Sequence, residues 1–271
     1  MRNMLALGAA AVLSTSCATI QLSEDHFFHP GPAEQRAAIA APGANVEPVT
    51  LTTADGTTLA GAYITTPAAT VDILYFGGNV SRIDEYAGAM AATMLPLQAN
   101  LFVADYRGYG RSGGTPAIET LKADALALFD ELQRRAGARP IVVHGLSLGS
   151  FMAAQRPVGG LVLESSAPDL QEWVRASVPG YAKPFIRVKI APALLRESNA
   201  AALRQYSGPL LVVTGSNDST TPPRLSQALF AAATSPDKRI FIVPGATHGN
   251  AFAFPAAQQE YASFLERVRT R

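Results

Sequence analysis

The chain contains little charge and a single cysteine. Charged residues occupy 16% of its 271 positions, and 22 basic against 21 acidic side chains give a formal net charge of +1. Because the sequence has no basic stripe or run, it does not favour a nucleic-acid partner. One cysteine forms no internal disulfide, so the fold must be stabilised by its core, to which the 48% hydrophobic residues contribute.

Sequence motifs for cofactors are absent as well. The sequence has no cluster with metal-ligand spacing, no phosphate-binding loop and no dinucleotide fingerprint. It also lacks internal repeats and low-complexity tracts. We therefore expect a protein of one main domain that works without a cofactor.

The first residues differ in composition from the rest of the chain. Arg2 is followed by an apolar stretch at residues 4–13, too short to span a bilayer, and then by small residues. The segment resembles a bacterial lipoprotein signal with Cys17 as the lipidated residue, although Ser14 stands where that pattern prefers Leu. A plain secretory signal cut after Ala18 and an uncleaved cytoplasmic start are the alternatives. The first two predict export to the cell envelope, either to the periplasm or to an outer-membrane anchor through Cys17.

Composition also predicts the domain boundaries. Residues 1–18 form the predicted signal segment, and residues 19–45, rich in Pro, Ala and Gly, form a predicted linker along the domain edge. Residues 46–271 alternate between β-rich and helical segments and form the predicted main domain. Within it, residues 166–207 contain four prolines and no clear strand, so we expect a small cap over the carboxyl ends of the strands.

The alternation of strands and helices predicts an α/β fold. Two β-rich runs surround a hairpin turn at residues 54–56. Six shorter, largely apolar runs are typical of strands buried on both faces of a parallel sheet: 71–76, 100–104, 140–144, 160–163, 210–214 and 239–243. Helices are predicted at 83–95, 118–136, 223–233 and 255–269. We expect a mostly parallel sheet of about eight strands with helices on both faces.

The most informative motif is Gly-Leu-Ser-Leu-Gly at residues 145–149. It follows an apolar run and precedes a segment that can begin a helix. A serine on such a sharp strand-to-helix turn has its hydroxyl exposed, and the flanking glycines prevent side-chain collisions in the turn. The motif therefore predicts that Ser147 is a nucleophile.

A serine hydroxyl needs a base to remove its proton. The chain has four histidines, of which His26 and His29 lie in the predicted linker and His144 lies in the strand before the serine. His248 lies in the loop after the last predicted strand and before the final helix. This position predicts that His248 is the base.

The base in turn needs a carboxylate that orients it. Asp218 follows the penultimate strand and is our preferred candidate, because the order Ser, Asp, His then follows successive strand ends. Glu164, at the end of the preceding strand, is the competitor, and Asp218 as a helix cap is the structural alternative. Two backbone N–H groups should stabilise the oxyanion: that of Leu148, and that of Asn79 or Gly78 after the third strand.

Together these residues resemble the α/β-hydrolase superfamily over nearly all of residues 46–271. The likeness is greatest to the serine hydrolase branch that contains lysophospholipid lipases and protein depalmitoylases. It rests on the Gly-Asn pair after the third strand, the segment 105–113, the serine motif, the turn at 215–218 and the His-Gly-Asn triplet at 248–250. The chain departs from this branch at Gly77, where relatives usually carry His.

The resemblance implies hydrolysis of carboxylic esters or thioesters through an acyl-enzyme intermediate. Ser147 would attack, His248 would transfer the proton, and Asp218 would hold the imidazole. Segment 105–113 is predicted to be structural, with its Tyr and Arg side chains beneath the serine turn.

The acyl substrate is predicted to be a small molecule or lipid-like. Four aromatic residues are candidates for its pocket: Trp173, Tyr181, Phe185 and Phe252. The alternatives are an amide or peptide hydrolase and an exported binding protein that keeps the fold without turnover. The sequence specifies no oligomeric state.

Overall fold

The computed structural model describes residues 18–32, 38–156 and 158–271. The lipidation candidate Cys17 and the apolar stretch at 4–13 lie outside the described residues. No helix within the described ranges combines the length and the apolarity needed to cross a bilayer.

The described residues form twelve strands and nine α-helices. The strands are β1 Ala18–Leu22, β2 Gly31–Pro32, β3 Asn45–Thr52, β4 Thr58–Thr65, β5 Val71–Phe76, β6 Ala99–Ala104, β7 Tyr109–Gly110, β8 Ile141–Leu146, β9 Gly160–Glu164, β10 Ile186–Ile190, β11 Leu210–Gly215 and β12 Lys238–Val243. The helices are α1 Glu24–Phe27, α2 Ile83–Met94, α3 Ile118–Ala136, α4 Gly149–Ala153, α5 Leu170–Ser177, α6 Pro192–Leu195, α7 Asn199–Leu203, α8 Pro223–Ala232 and α9 Pro255–Arg269. Two short 3-10 helices cover Leu95–Leu97 and Ala251–Ala253.

Eight of the strands form the central sheet, in the order β12-β11-β9-β8-β5-β6-β4-β3. Strands β3 and β4 pair antiparallel, as do β4 and β6, and the remaining pairs are parallel. The predicted mostly parallel sheet of about eight strands is confirmed. Because neighbouring parallel strands end at the same edge, the loops after β5, β8, β9, β11 and β12 meet there.

Helices cover both faces of this sheet. On one face α3 and α8 pack over an apolar cluster that includes Leu128, Leu132 and Leu229. On the other face α2 and α9 pack over a second cluster that includes Ala87 and Phe264. The predicted apolar face of α3 is buried at all five of its positions: Leu121, Ala125, Leu128, Phe129 and Leu132. A helix with such a stripe is held on a sheet by burial of that stripe.

Two features of the described structure correct the sequence analysis. Residues 166–207 do contain a strand, β10, which pairs in parallel with β1. The predicted linker, residues 19–45, contains β1 and α1, and Phe27 and Phe28 at the end of α1 are buried in the core. Strands β1 and β10 are far apart in the chain. A strand of five residues has too weak a local pattern to be predicted unless its pairing partner is known.

A buried carboxylate connects the sheet to α2. Asp105, directly after β6, accepts hydrogen bonds from the backbone N–H of Ile83 at the start of α2 (2.9 Å) and from that of Arg111 (2.9 Å). The Asp105 side chain is buried, and burial raises its pKa to about 6, although both hydrogen bonds act to lower it. The fold therefore contains a carboxyl group that is more costly to ionise in the folded state than in the unfolded chain.

This carboxyl group predicts a pH dependence of stability. A folded-state pKa above the unfolded value means that the native state binds more protons between about pH 4 and pH 6, so stability decreases as pH rises through that window. The free energy of unfolding of Asp105→Asn minus that of the native protein should therefore increase by about 2 to 3 kcal/mol from pH 4 to pH 7. Urea unfolding of both proteins at each pH measures this difference. A difference that stays constant with pH would contradict the prediction, whatever constant offset the lost hydrogen bond adds.

Candidate active site

Ser147 lies on a sharp turn between β8 and α4. Its φ of 53° is in the left-handed region, which a side-chain-bearing residue rarely adopts. The turn is too tight for a side chain at either flanking glycine. A Cβ added at Gly145 would lie 2.3 Å from the carbonyl oxygen of Gly149, and a Cβ added at Gly149 would lie 2.1 Å from the carbonyl oxygen of Phe76. The Ser147 N–H donates to the carbonyl of Glu164 (2.9 Å), which ties the turn to the neighbouring strand.

His248 and Asp218 lie on the loops after β12 and β11, and their side chains are hydrogen-bonded. The Nδ1 atom of His248 is 2.9 Å from Oδ2 of Asp218. The other carboxylate oxygen of Asp218 accepts from the backbone N–H groups of Thr220 (3.0 Å) and Thr221 (2.7 Å). Since both oxygens have partners, the carboxylate is fixed in orientation and holds the imidazole ring in turn.

The environment of Asp218 keeps this carboxyl group ionised. Burial acts to raise its pKa, but the hydrogen bonds from His248 and Thr221, together with the charge of the imidazole, outweigh burial and hold the pKa below its usual range. With a lowered folded-state pKa, the carboxylate stabilises the fold above the unfolded value of about 3.9, and this contribution is lost only as pH falls through the lower folded value. Asp218 is therefore an acceptor for the Nδ1 proton throughout the neutral range.

Ser147 and His248 line one cavity of about 500 Å³. Within the described part of the chain, no hydrogen bond joins the serine hydroxyl to the imidazole. Catalytic hydrogen bonds in hydrolases without substrate are often long and tighten when substrate binds. The structure thus brings the three side chains to one rim of the sheet, with the Asp218–His248 hydrogen bond formed and the Ser147–His248 hydrogen bond not formed.

Two backbone donors border the same cavity. Leu148 and Asn79 both line it, and the N–H of neither has an acceptor among the described residues. The N–H of Gly78, the alternative to Asn79, donates instead to the hydroxyl of Ser81 (2.8 Å). Of the two alternatives left open by the sequence, the geometry favours Asn79.

The side chain of Asn79 is hydrogen-bonded through both of its terminal atoms. Its Oδ1 accepts from the Tyr109 hydroxyl (2.8 Å) and from the His29 N–H (3.2 Å), and its Nδ2 donates to the Phe27 carbonyl (2.6 Å). Tyr106 supports the same loop by donating to the Gly77 carbonyl (2.8 Å). These contacts hold the Asn79 backbone in one position.

Segment 105–113 therefore makes structural contacts, and only its Arg107 departs from the predicted position. Its two tyrosines support the loop after β5, and Arg107 turns away to pair with Asp124 on α3 (2.6 Å). The loop that Tyr106 supports is itself packed against the serine turn, because the carbonyls of Phe76 and Gly77 lie against Gly149. Arg107 also pairs with Asp55, which lies 2.8 Å away in the turn between β3 and β4.

Glu164, the competing acid, does not line the cavity. Its Oε2 is 3.3 Å from Nε2 of His144, without hydrogen-bond alignment, and its Oε1 accepts from the Ala251 N–H (3.2 Å). Both side chains are fully buried, and His144 contacts the rings of Tyr75 and Tyr261. Glu164 therefore links the serine turn to the loop that follows His248, and His144 is a core residue, as predicted.

The structure corrects part of the predicted pocket. Trp173, on α5, lines the cavity, and its Nε1 donates to the Thr220 carbonyl (3.1 Å). Tyr181 and Phe185 instead lie exposed to solvent and do not line the cavity. Phe252 is buried against His144 beneath the site. Aromatic content indicates apolar contact but does not specify which side of the cap a residue occupies.

The cavity also has a wall that sequence reasoning missed. Phe27 and His29, from the segment predicted as a linker, line it, and Phe27 packs edge-on against Trp173 with ring centroids 6.0 Å apart. Two adjacent phenylalanines in a polar stretch were the available signal, since such a pair is rarely left in solvent. Within the described ranges, no group of three or more His, Cys, Asp or Glu side chains is placed to hold a metal ion.

Comparison with known proteins adds the following relatives. No protein-family model matches the chain. An uncharacterized protein of Mycobacterium tuberculosis is 32% identical over 210 residues, which covers 74% of this chain and 72% of the relative. Lysophosphatidylserine lipase ABHD12 of Macaca fascicularis is 27% identical over 179 residues, or 59% of this chain and 45% of the lipase. This chain thus spans less than half of that lipase.

Among solved structures, the esterase Pf2001 of Pyrococcus furiosus superimposes with a TM-score of 0.71. The match covers 88% of this chain and 98% of the esterase at 18% sequence identity. At that identity the likeness concerns the fold and not the substrate.

Proposed function

Since the chain belongs to the α/β-hydrolase superfamily, we propose that it is a serine hydrolase that cleaves carboxylic esters or thioesters through an acyl-enzyme intermediate. The observation that carries this proposal is the Asp218–His248 hydrogen bond on the wall of the cavity that Ser147 also lines. The carboxylate accepts from Nδ1, so the proton of the neutral imidazole resides there and Nε2 is left to accept a proton.

The proposed reaction has two halves. The Ser147 oxygen attacks the acyl carbon as its proton passes to Nε2 of His248, and the oxyanion is stabilised by the N–H groups of Leu148 and Asn79. The C–O or C–S bond then breaks, and His248 gives the proton to the departing alcohol or thiol. Water repeats the sequence on the acyl-enzyme, with His248 as base, and releases the carboxylic acid and the free serine.

The cavity supports an acyl group with substantial apolar surface. Beyond the polar groups at its floor, its walls include Phe27, Phe151, Leu170 and Trp173. A volume of about 500 Å³ lies within the range of small-molecule sites. This lining and the similarity to a lysophosphatidylserine lipase both support a lipid-like acyl substrate, of the kind cleaved by lysophospholipid lipases and protein depalmitoylases.

Covalent labelling and an ester series test the proposal. We expect a fluorophosphonate probe to modify the protein at Ser147, located by mass spectrometry of the labelled peptide. With nitrophenyl esters of increasing acyl length, kcat/KM should rise by up to roughly fourfold per added CH2 until the cavity is filled. Nitroanilides of the same acids should react more slowly than the esters.

Three outcomes of this experiment would count against the proposal. Faster cleavage of the anilides would favour an amide hydrolase. Absence of both labelling and hydrolysis would favour a binding protein with this fold. A label on another residue would place the nucleophile elsewhere.

We also retain export as a proposal. It rests on the sequence before the described residues, where an apolar stretch at 4–13 is followed by Cys17. Metabolic labelling with palmitate, compared between the native protein and Cys17→Ala, measures lipidation directly. Equal label in both would reject an acyl anchor at Cys17.

A further inference from the structure

The parallel ribbon of β1 and β10 has two chemically different faces. Its register pairs Ala18 with Ile186, Ile20 with Val188 and Leu22 with Ile190. Because side chains alternate along a strand, these six residues share one face, and Thr19, Gln21, Arg187 and Lys189 share the other. The ribbon is therefore apolar on one side and basic on the other.

The cap that carries this ribbon exposes most of the large apolar side chains found in solvent. Among the described residues, five large hydrophobic side chains are exposed, and four of them lie on β1 or the cap: Ile20 (49%), Tyr181 (83%), Phe185 (55%) and Leu195 (47%). Single exposed apolar residues are ordinary, but two exposed aromatic side chains within five residues, Tyr181 and Phe185, indicate an interaction surface.

Three cations accompany these residues. Lys183, Arg187 and Lys189 are exposed and make no ion pair within the described residues. Residues 166–207 contain six basic and three acidic side chains. All three acidic groups are already engaged: Asp169 caps α5, Glu172 pairs with Arg175, and Glu197 pairs with Lys122. The cap therefore presents uncompensated positive charge.

We propose that the exposed side chains of one continuous cap segment (Tyr181, Lys183, Phe185, Arg187 and Lys189), here called the cap face, bind the surface of a membrane with anionic headgroups. Exposed aromatic side chains beside free basic groups suit the boundary between headgroups and acyl chains. The position of the ribbon in the chain favours a lipid surface over a protein partner. The first residue of β1 is bonded directly to Cys17, and the apolar stretch 4–13 precedes it.

The cap face adjoins the cavity through a single helix. On one side of α5, Trp173 lines the cavity that contains Ser147. On its other side, Val174 and Val178 line a groove of about 310 Å³ together with the apolar residues of β10. Membrane binding by the cap face thus leaves only β10 and α5 between the cavity and a lipid surface, where acyl substrates are concentrated.

A single-cysteine probe tests where the protein touches a membrane. Cys17→Ala removes the only cysteine and any acyl anchor, so a full-length chain with Cys17→Ala and Tyr181→Cys carries one labelling site on the cap face. Labelled with an environment-sensitive fluorophore and mixed with vesicles of phosphatidylcholine and phosphatidylglycerol, it should show a blue shift and quenching by bromolipids. The matched control, Cys17→Ala with Arg134→Cys, is labelled on the exposed side of α3 and should show neither.

Every other result overturns the proposal. A protein that does not sediment with the vesicles has no such surface. A protein that sediments with equal responses at the two labels, or with a response only on α3, binds through another face. A response at position 181 that requires no vesicles and grows with protein concentration indicates that a second copy covers the cap face.

The basic residues allow a quantitative version of the test. Replacing Arg187→Gln and Lys189→Gln together should weaken partitioning into anionic vesicles roughly 25-fold, since each basic residue near such a surface contributes about fivefold. The control pair Arg134→Gln and Arg239→Gln removes the same charge elsewhere and should change it less than about twofold. Equal loss in both pairs would mean that net charge, and not the cap face, controls binding.

This inference is separable from the proposed hydrolase activity. Neither Arg187 nor Lys189 lines the cavity, so hydrolysis of a soluble nitrophenyl ester should be unchanged in the Gln pair. Inactivity of the native protein toward all esters would reject the proposed chemistry and leave the vesicle results as they stand.

Discussion

Ser147→Ala is expected to lower kcat for nitrophenyl esters by about a millionfold, which is the loss found when the nucleophile is removed from a serine hydrolase triad. Binding of substrate should change little, because the hydroxyl makes no hydrogen bond within the described residues. Stability should also be retained, since alanine keeps the Cβ that the turn already accommodates at φ 53°. Steady-state kinetics and urea unfolding of the same preparation measure the two expectations separately.

Ser165→Ala is the matched control for this substitution. Ser165 also follows a strand of the sheet, also has a positive φ, of 50°, and also lines the cavity. It lies one strand away from the serine turn, and we expect its replacement to cost at most about tenfold in kcat. Comparable losses in both variants, or a Ser147→Ala protein of near-native activity, would show that the nucleophile has been assigned to the wrong residue.

The parts of this site that could be predicted from sequence are those with local signals. The glycines flanking Ser147 report a turn that only small residues permit, and the structure shows why: a Cβ at Gly149 would overlap the Phe76 carbonyl. The helix at 118–136 has apolar residues at a spacing of three and four positions, and its predicted bounds are confirmed. His248 was identified by its place after the last strand.

The parts that could not be predicted depend on contacts between distant segments. Phe27 reaches the cavity only because α1 packs against the cap, which lies more than a hundred residues further along the chain. Tyr181 and Phe185 resemble pocket residues in composition, yet the fold of the cap turns them outward. Strand β10 is an alternating segment of five residues whose partner, β1, lies more than a hundred residues earlier in the chain.

The choice between two acids illustrates the same limit. Asp218 and Glu164 both end strands of the sheet, and sequence order favoured Asp218 without excluding Glu164. Which carboxylate reaches His248 depends on the side of the strand from which it projects and on the loop that follows. In the structure Asp218 contacts the imidazole of His248, and Glu164 lies beside His144 in the core.

Asp218→Asn should therefore lower kcat by about 10⁴-fold, with the fold retained. An amide at this position can still accept the turn hydrogen bonds from Thr220 and Thr221, but its NH2 group would face Nδ1 and favour the tautomer that carries its proton on Nε2. That tautomer has no lone pair to accept the serine proton. Kinetics with nitrophenyl esters measure the loss.

Glu164→Gln is the matched substitution at the competing acid. The glutamine oxygen can still accept from the Ala251 N–H, and the backbone carbonyl that holds Ser147 is unchanged, so we expect less than about a tenfold loss in kcat and a measurable loss of stability. The reverse pattern, with Glu164→Gln more damaging to kcat than Asp218→Asn, would transfer the role to Glu164.

Combining the substitutions tests whether the three side chains act as one unit. If Asp218 works only through His248 on the Ser147 proton, its loss cannot matter once the hydroxyl is gone. The double variant Ser147→Ala with Asp218→Asn should then be no slower than Ser147→Ala alone. Multiplicative losses would instead mean that Asp218 contributes independently, through the turn that it organises with Thr220 and Thr221, and that the proton path proposed here is incomplete.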